Sequence, residues 1–159
     1  MTEKFYVLDT CAIYSYCKEY RNMFEDKENS FSSEALSFIN KAFTSSFSNI
    51  KIVIPNVVFI EIYDKYFNNE EWTNKFKYEF YLPIVKGSED VKIHISSIDQ
   101  EIIENIFDCY IDEDNADLHD KLILATSLKY KAQNVFLFSS DSKVKKIISK
   151  NKLPITCIS

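Results

Sequence analysis

Five short apolar runs, separated by helical patterns, constrain the fold more than any other feature of this 159-residue sequence. The runs lie at residues 5–8, 51–54, 91–95, 135–138 and 155–158. Short strands that are apolar on both faces are typical of a parallel sheet covered by helices on both sides. The sequence therefore predicts a three-layer α/β/α fold with a central parallel sheet of about five strands.

Apolar residues at helical spacing, together with helix-start signals, predict the connecting helices. These helices cover residues 55–63 with Pro55 in the first turn, a segment with Trp72, Phe76 and Phe80 at i, i+4 and i+8, and residues 98–110, 116–130 and 142–150. The polar residues 22–33 predict a long loop. No repeat or linker divides the chain, so we expect a single domain over residues 1–159.

Composition excludes several classes of site. Glycine-rich phosphate loops and the GxSxG elbow need more than the one glycine present, Gly87. His94 and His119 are too far apart for HExxH, and the four cysteines form no CxxC pair, so we expect no histidine or thiolate zinc site. The sequence shows neither a signal peptide nor an apolar stretch that could cross a membrane. We therefore expect a reduced, cytoplasmic protein.

Carboxylates stand where parallel-sheet proteins bind their ligands. Asp9 and Asp141 follow the first and fourth strands, and ligands of open parallel sheets bind at the carboxyl ends of strands. Glu61 lies in a helix that is apolar nearly all round and should be largely buried, where a lone charge costs several kcal/mol. Asp117 and Asp120 precede or begin another apolar helix. Each acid alone could be a helix cap, a first-turn acid or a hydrogen-bonded core residue.

Taken together, four of these acids indicate a metal site. Helices that follow parallel strands begin at the carboxyl edge, which brings Asp9, Glu61, Asp120 and Asp141 toward one cleft. At about 4 Å and an effective dielectric constant near 20, each like-charge pair costs on the order of 4 kcal/mol. Either some of the acids are protonated or a divalent cation neutralises them. Oxygen-only ligands favour Mg²⁺ or Mn²⁺ over zinc.

Four segments also resemble a known family. They are YVLDT at residues 6–10, PNVVFIE at 55–61, LHDKLILATSL at 118–128 and LFSSD at 137–141. In order and spacing they resemble the motifs of PIN-domain nucleases, and most closely those of the VapC-like toxins of bacterial toxin–antitoxin pairs. The resemblance spans most of the chain, although residues 22–47 form a longer region than in compact members.

The resemblance implies a metal-dependent endoribonuclease. In such an enzyme Asp9, Glu61, Asp120 and Asp141 would hold one or two Mg²⁺ or Mn²⁺ ions, and metal-activated water would attack the RNA phosphodiester. Ser139, where threonine is commoner, and Thr10 would support the site. Asp117 is either an outer ligand or a simple helix-start acid, and we favour the latter. The partners implied are RNA, a cognate antitoxin and a second copy in a homodimer. We expect His119 to have a supporting role.

The net charge of -5 conceals a segregation of charge. Residues 99–120 hold nine acids and no lysine or arginine, whereas residues 129–152 hold seven lysines and one acid. Lys143, Lys145 and Lys146 could contact substrate phosphates, or they could form an ordinary solvated helix face. We expect the aromatic stripe at 72, 76 and 80 to pack against the sheet, an antitoxin or a second protomer before it stacks on bases.

Two other functions remain open from sequence. A non-catalytic PIN-fold interaction domain would keep the fold without cleaving RNA. A phosphotransferase of another α/β fold would use Asp9 as its nucleophile and would carry an acid two residues later, where this chain has Cys11.

Overall fold

The computed structural model of the protein describes residues 2–24, 30–44, 49–87, 93–108 and 116–159. In chain order the elements are β1 (Lys4–Leu8), α1 (Thr10–Arg21), α2 (Ser33–Thr44), β2 (Ile50–Pro55), α3 (Asn56–Tyr66), α4 (Glu70–Phe76), a π-helix (Lys77–Lys86), β3 (Ile93–Ser96), α5 (Gln100–Asp108), α6 (Leu118–Leu128), β4 (Asn134–Phe138), α7 (Ser142–Lys150) and β5 (Thr156–Ile158). None of the described helices is long and apolar enough to span a membrane.

The five strands form one sheet in the order β3-β2-β1-β4-β5, and every neighbouring pair is parallel. The α/β prediction with a central five-stranded parallel sheet is therefore confirmed. The chain runs outward from β1 to β2 and β3, and then returns to the other side of β1 for β4 and β5. The direction of winding thus reverses between β1 and β4. Open parallel sheets bind ligands at such a reversal, outside the carboxyl ends of the strands.

The core explains why the apolar runs are nearly continuous. The three central strands are buried on both faces, and Val7, Ile54 and Leu137 have no exposed surface. The helices add residues such as Ile62 and Ile123, which are also fully buried. The predicted strands agree with the observed ones to within one or two residues where they are described. Residues 91–92 and 109–110, which were included in predicted elements, lie outside the described residues.

Three details of the helical prediction differ from the structure. Pro55 does not lie in the first turn of a helix, because its extended backbone (φ -58°, ψ 135°) ends β2 and precedes α3. Helices α1 and α2 are not among the predicted ranges, and α2 occupies much of residues 22–47. The prediction that the helix around Glu61 is largely buried is wrong, since Ile60 and Tyr63 are 65% and 66% exposed. Only one face of α3 packs against α1 and β2.

The aromatic stripe packs inside the fold, where its ring contacts include residues of other helices. Trp72 and Phe76 lie in α4, whereas Phe80 lies in the π-helix that continues it. The ring of Phe80 is fully buried and lies 5.9 Å from that of Tyr16 in α1 and 5.7 Å from that of Phe43 in α2. These contacts attach the α4 and π-helix segment to the first two helices.

Gly87 follows the π-helix in an ordinary backbone conformation, with φ -89°. A Cβ atom at this position would lie 2.8 Å from the carbonyl oxygen of Leu82 and 3.1 Å from that of Pro83. Both neighbours are backbone atoms, which cannot swing aside as a flexible side chain can. The one glycine of the chain is therefore required by a close backbone approach at the end of the π-helix.

Replacing Gly87 with alanine is expected to lower stability by roughly 1–3 kcal/mol, because the added methyl group overpacks against these carbonyl oxygens. The Tm measured by thermal denaturation should fall by several degrees. Lys86→Ala, an exposed neighbour in the same segment, serves as the control and should leave Tm nearly unchanged. A Gly87→Ala protein with the wild-type Tm would contradict the assigned role of this glycine.

Candidate active site

A cavity of about 240 Å³ opens at the carboxyl edge of the sheet, where the winding reverses. Its lining residues come from α1, α3, α6 and the ends of β1 and β4, and they are Asp9, Thr10, Cys11, Glu61, Lys65, Tyr66, His119, Asp120, Ser140 and Asp141. All four acids that the sequence predicts for the site line this one cavity. Their convergence follows from the topology, because β1 and β4 are neighbours and α3 and α6 begin at the same edge.

Asp9 is held by both neighbouring strand ends. It follows β1 and caps α1, where its Oδ1 accepts the backbone N–H of Thr10 at 2.7 Å. Its Oδ2 accepts the hydroxyl of Ser139, just beyond β4, at 2.7 Å. The backbone N–H of Asp9 donates to the carbonyl oxygen of Phe138 at 3.1 Å. The buried carboxylate, 4% exposed, is therefore fixed in direction toward the cavity.

Glu61 is stabilised as a carboxylate by groups on three elements. Its Oε2 accepts the hydroxyl of Thr10 at 2.5 Å and lies 2.5 Å from Nε2 of His119, while its Oε1 accepts from Nζ of Lys65. Burial alone would raise the pKa of Glu61, but the hydrogen bonds from His119, Lys65 and Thr10 lower it to about 2. Glu61 therefore carries its negative charge throughout the neutral range.

His119 lies between two acids. Its Nε2 is 2.5 Å from Oε2 of Glu61 and 3.4 Å from Oδ1 of Asp9. Burial would lower the pKa of this imidazole, but its hydrogen bonds with Asp9 and Glu61 raise it to about 9. At neutral pH the ring is thus a cation that balances both carboxylates. The sequence predicts a supporting role for His119 but gives no sign of this bridge.

Asp120 lacks such a partner. The side chain is buried in the first turn of α6, with 6% of the residue exposed, and no donor among the described residues reaches its carboxylate. Burial raises the pKa of Asp120, and the charges of Asp141, Asp117 and Asp9 raise it further, to about 6. The charge of His119 opposes these effects but is smaller, so the described residues balance the negative charge of Asp120 only in part.

Asp141 and Asp117 both cap helices, which is one of the structural roles that the sequence allows for each acid. Oδ1 of Asp141 accepts the backbone N–H of Lys143 at 2.7 Å, and Oδ1 of Asp117 accepts that of Asp120 at 2.9 Å. Asp141 also lines the cavity, whereas Asp117 is exposed and is not among the lining residues. The geometry of Asp117 is thus that of a helix-start acid.

The lysines near the site include one that was not predicted from the sequence, Lys65. Lys143, Lys145 and Lys146 are exposed on α7, and Nζ of Lys145 donates to the hydroxyl of Ser159 at 2.8 Å. Lys129, from the same basic region, forms an ion pair with Asp99. Lys65 lines the cavity and pairs with Glu61. Its position four residues after Glu61 in a helix was the available signal for that pair.

The cysteine thiols near the site are not activated. Cys11 lines the cavity, and burial, followed by the charge of Asp9, raises its pKa to about 12. Cys17 is fully buried, and burial raises its pKa further. Both therefore remain protonated thiols at neutral pH and are poor nucleophiles.

The donor set fits a divalent cation. Asp9, Glu61 and His119 each offer one ligand atom, and these atoms lie within 4.8 Å of one another. Asp120 adds a buried carboxylate with an unbalanced charge on the same cavity. The oxygen-only ligand set stays a prediction, and the structure places the Nε2 atom of His119 beside these oxygens. His119 lies beside Glu61 because α6 packs against α3.

Among known proteins, solved structures share the fold of this chain. No family model matches the sequence, and no curated protein matches it. A chain of the crystal structure of VapBC2 from Rickettsia felis, bound to a DNA fragment from their promoter, aligns with a TM-score of 0.59 at 16% identity and covers 96% of both chains. FitAcB from Neisseria gonorrhoeae aligns with a TM-score of 0.62 at 10% identity over 97% of this chain and 96% of that one.

A structure of FitAB bound to an IR36 DNA fragment gives a TM-score of 0.59 at 10% identity, with 96% of this chain and 94% of that chain covered. The shared fold thus extends over almost the whole length of the chain. The PIN-like fold that the sequence motifs imply is confirmed.

Neutralising Asp120 is expected to stabilise the metal-free protein. The folded state raises the pKa of this carboxyl group, so its ionisation reduces stability as pH rises from about 4 to about 6. In EDTA at pH 7.5, Asp120→Asn should therefore raise the free energy of unfolding by up to about 3 kcal/mol, since one pKa unit corresponds to about 1.4 kcal/mol. At pH 3.5 the gain should nearly vanish.

Thermal or urea denaturation at the two pH values measures this effect. Asp64→Asn removes an exposed acid of α3 outside the cavity lining and should show no such gain. An Asp120→Asn protein that is less stable than wild type at pH 7.5 in EDTA would contradict the inferred unbalanced charge.

Proposed function

We propose that this protein is a PIN-domain endoribonuclease, a VapC-like toxin that hydrolyses RNA phosphodiester bonds with the help of bound Mg²⁺ or Mn²⁺. One observation carries the proposal: Asp9, Glu61, Asp120 and Asp141 line a single cavity at the carboxyl edge of a PIN-like fold. The motifs that resemble VapC-like toxins contain these same four residues. Chains of VapBC2 and FitAB share the fold over nearly their whole length.

The four carboxylates would hold the cation, and each is prepared for this in a different way. Asp9 is aimed by the backbone N–H of Thr10 and the hydroxyl of Ser139. Glu61 is kept ionised by its hydrogen bonds. When bound, the metal lowers the pKa of water and offsets charge on the pentacoordinate phosphorus. Asp120, whose pKa of about 6 lies near neutrality, suits acceptance of the proton from the attacking water.

Neither Cys11 nor Asp9 is suited to act as the nucleophile. The thiol of Cys11 stays protonated because its pKa is raised to about 12. Both oxygens of Asp9 accept hydrogen bonds, and position 11 carries no acid, which counts against an aspartyl-phosphate mechanism. Attack by water on the phosphodiester is therefore the reaction that these residues favour.

Charge and shape favour recognition of RNA through its backbone. Lys65 at the cavity and the exposed lysines of α7 can contact phosphate oxygens without reading bases. The single arginine, Arg21, donates to the hydroxyl of Tyr16 instead of pointing toward the cavity lining. Readout of bases by bidentate arginine contacts therefore has no candidate in this chain.

We also propose protein partners, a cognate antitoxin and a second copy of this chain. The described surface exposes large apolar side chains, including Ile60 and Tyr63 on α3, Ile103 and Phe107 on α5, and Leu118 on α6. Where such side chains adjoin one another, they would form an apolar patch that a protein partner could cover. The alternative of a non-catalytic interaction domain is supported by two features. One is this exposed apolar surface, and the other is the pairing of Glu61 with His119 and Lys65, which balances the charge of Glu61 without a metal.

Replacing Asp9 with asparagine should abolish metal-dependent cleavage, because it removes a charged ligand while keeping the shape of the side chain. We expect the rate on a panel of structured and single-stranded RNAs in Mn²⁺ or Mg²⁺ to fall about 100-fold or more. EDTA should suppress wild-type cleavage to the same extent.

The matched control is Asp64→Asn, which alters an exposed acid of α3 outside the cavity lining and should cleave at the wild-type rate. Full Mn²⁺-dependent cleavage by Asp9→Asn would refute the site assignment. A wild-type protein that binds no Mn²⁺ and cleaves no RNA of the panel would instead support the interaction domain.

The lysines of α7 should act on binding rather than on chemistry. We expect the triple change of Lys143, Lys145 and Lys146 to alanine to raise KM with little change in kcat. Each lost phosphate contact should reduce the slope of log KM against log salt by about 0.7 for single-stranded RNA. Steady-state kinetics between 50 and 300 mM salt measure this slope. Lys86→Ala on the π-helix is the control, and an unchanged slope in the triple variant would contradict the proposed contact surface.

A further inference from the structure

His119 occupies an unusual position for a residue expected only to support the site. Its Nε2 atom faces the carboxylates of Asp9 and Glu61, at 3.4 and 2.5 Å, and its other contact is the hydroxyl of Thr10 at 3.0 Å. All three partners line the same cavity. The nitrogen is thus directed into the site and not toward a purely structural partner elsewhere in the fold.

The spacing of these atoms suits ligation of one ion. The Asp9, Glu61 and His119 ligand atoms lie within 4.8 Å of one another. Metal–ligand bonds of about 2.1 Å place two ligand atoms at most about 4.2 Å apart, so only a small contraction would gather all three around one cation. The 18% exposure of the His119 side chain leaves a path from the open cavity to the nitrogen.

We propose that Nε2 of His119 is a ligand of the divalent cation, together with the carboxylates of Asp9 and Glu61, and that the proton on this nitrogen is released to solvent when the metal binds. The inference rests on the proposed metal-dependent function and specifies the ligand chemistry of that site. Imidazole nitrogen suits borderline cations such as Zn²⁺ and Co²⁺, whereas carboxylate oxygens suit Mg²⁺ and Mn²⁺. The centre therefore binds Zn²⁺ and Co²⁺ with an added preference over Mg²⁺ that depends on His119.

A role limited to hydrogen bonding makes a different prediction. In that case the ring keeps a proton on Nε2 and donates it to Asp9 and Glu61 when the metal binds nearby. A glutamine at position 119 can donate similar hydrogen bonds through its amide but offers no imidazole nitrogen. His119→Gln therefore separates a metal ligand from a residue that only positions the carboxylates.

The first measurement compares cation affinities by calorimetry for wild type, His119→Gln and His94→Gln. We expect His119→Gln to weaken Zn²⁺ and Co²⁺ binding at least about 10-fold and to change Mg²⁺ binding much less. His94 is exposed on β3 and does not line the cavity, so its replacement should alter none of these affinities. Equal losses for all the cations, or no loss, in His119→Gln would overturn the inference.

The second measurement observes the ring nitrogen of the wild-type protein directly. Because the chain contains only two histidines, a ¹⁵N spectrum of the imidazole groups contains two sets of signals, and His94→Gln assigns them. Zn²⁺ at one equivalent should shift the Nε2 signal of His119 and remove its proton coupling while leaving His94 unchanged. Zinc binding with the Nε2 proton of His119 retained would overturn the inference.

The outcomes also separate this inference from the proposed nuclease. A wild-type enzyme that cleaves RNA with Mn²⁺ but keeps the Nε2 proton of His119 when Zn²⁺ binds retains its function and loses only the nitrogen ligand. A protein that binds none of the cations and cleaves no RNA overturns both proposals.

Discussion

Repulsion among carboxylates gathered at one edge of the sheet is the constraint on which the rest of the site depends. The topology brings Asp9, Glu61, Asp120 and Asp141 to the reversal point between β1 and β4. The fold reduces the cost by capping helices with Asp9 and Asp141, whose oxygens accept backbone N–H groups at positive helix ends. It balances Glu61 further with His119 and Lys65.

The protein balances the charge of Glu61 more completely than that of Asp120, and this difference bears on the proposed chemistry. Glu61 is held well below its ordinary pKa, whereas the pKa of Asp120 rises to about 6 because burial and three other acids outweigh the opposing charge of His119. An added divalent ion would relieve the charge on Asp120 and would take the place of the His119 proton between Asp9 and Glu61. The metal-free site is thus partly neutralised by its own cations and would be completed by one divalent ion.

Much of the fold could be predicted from the sequence, because apolar strands buried on both faces leave a continuous pattern, and a parallel sheet fixes where the acids that follow them must lie. The charges around Glu61 could not be predicted from the sequence, because His119 approaches Glu61 through the packing of α6 against α3. The exposure of Ile60 and Tyr63 depends in the same way on which face of α3 is covered. The π-helix at Lys77–Lys86 could not be predicted from the sequence either, because its aromatic spacing fits an α-helix equally well.

The most direct test of the central claim is a crystal structure of the protein soaked in Mn²⁺, with anomalous scattering used to locate the ion. We predict an anomalous peak inside the cavity, from an ion bonded to the carboxylates of Asp9 and Glu61 and to Nε2 of His119 and close to the carboxylates of Asp120 and Asp141. A well-ordered cavity with no peak at millimolar Mn²⁺, with His119 still bridging Asp9 and Glu61, would contradict the account.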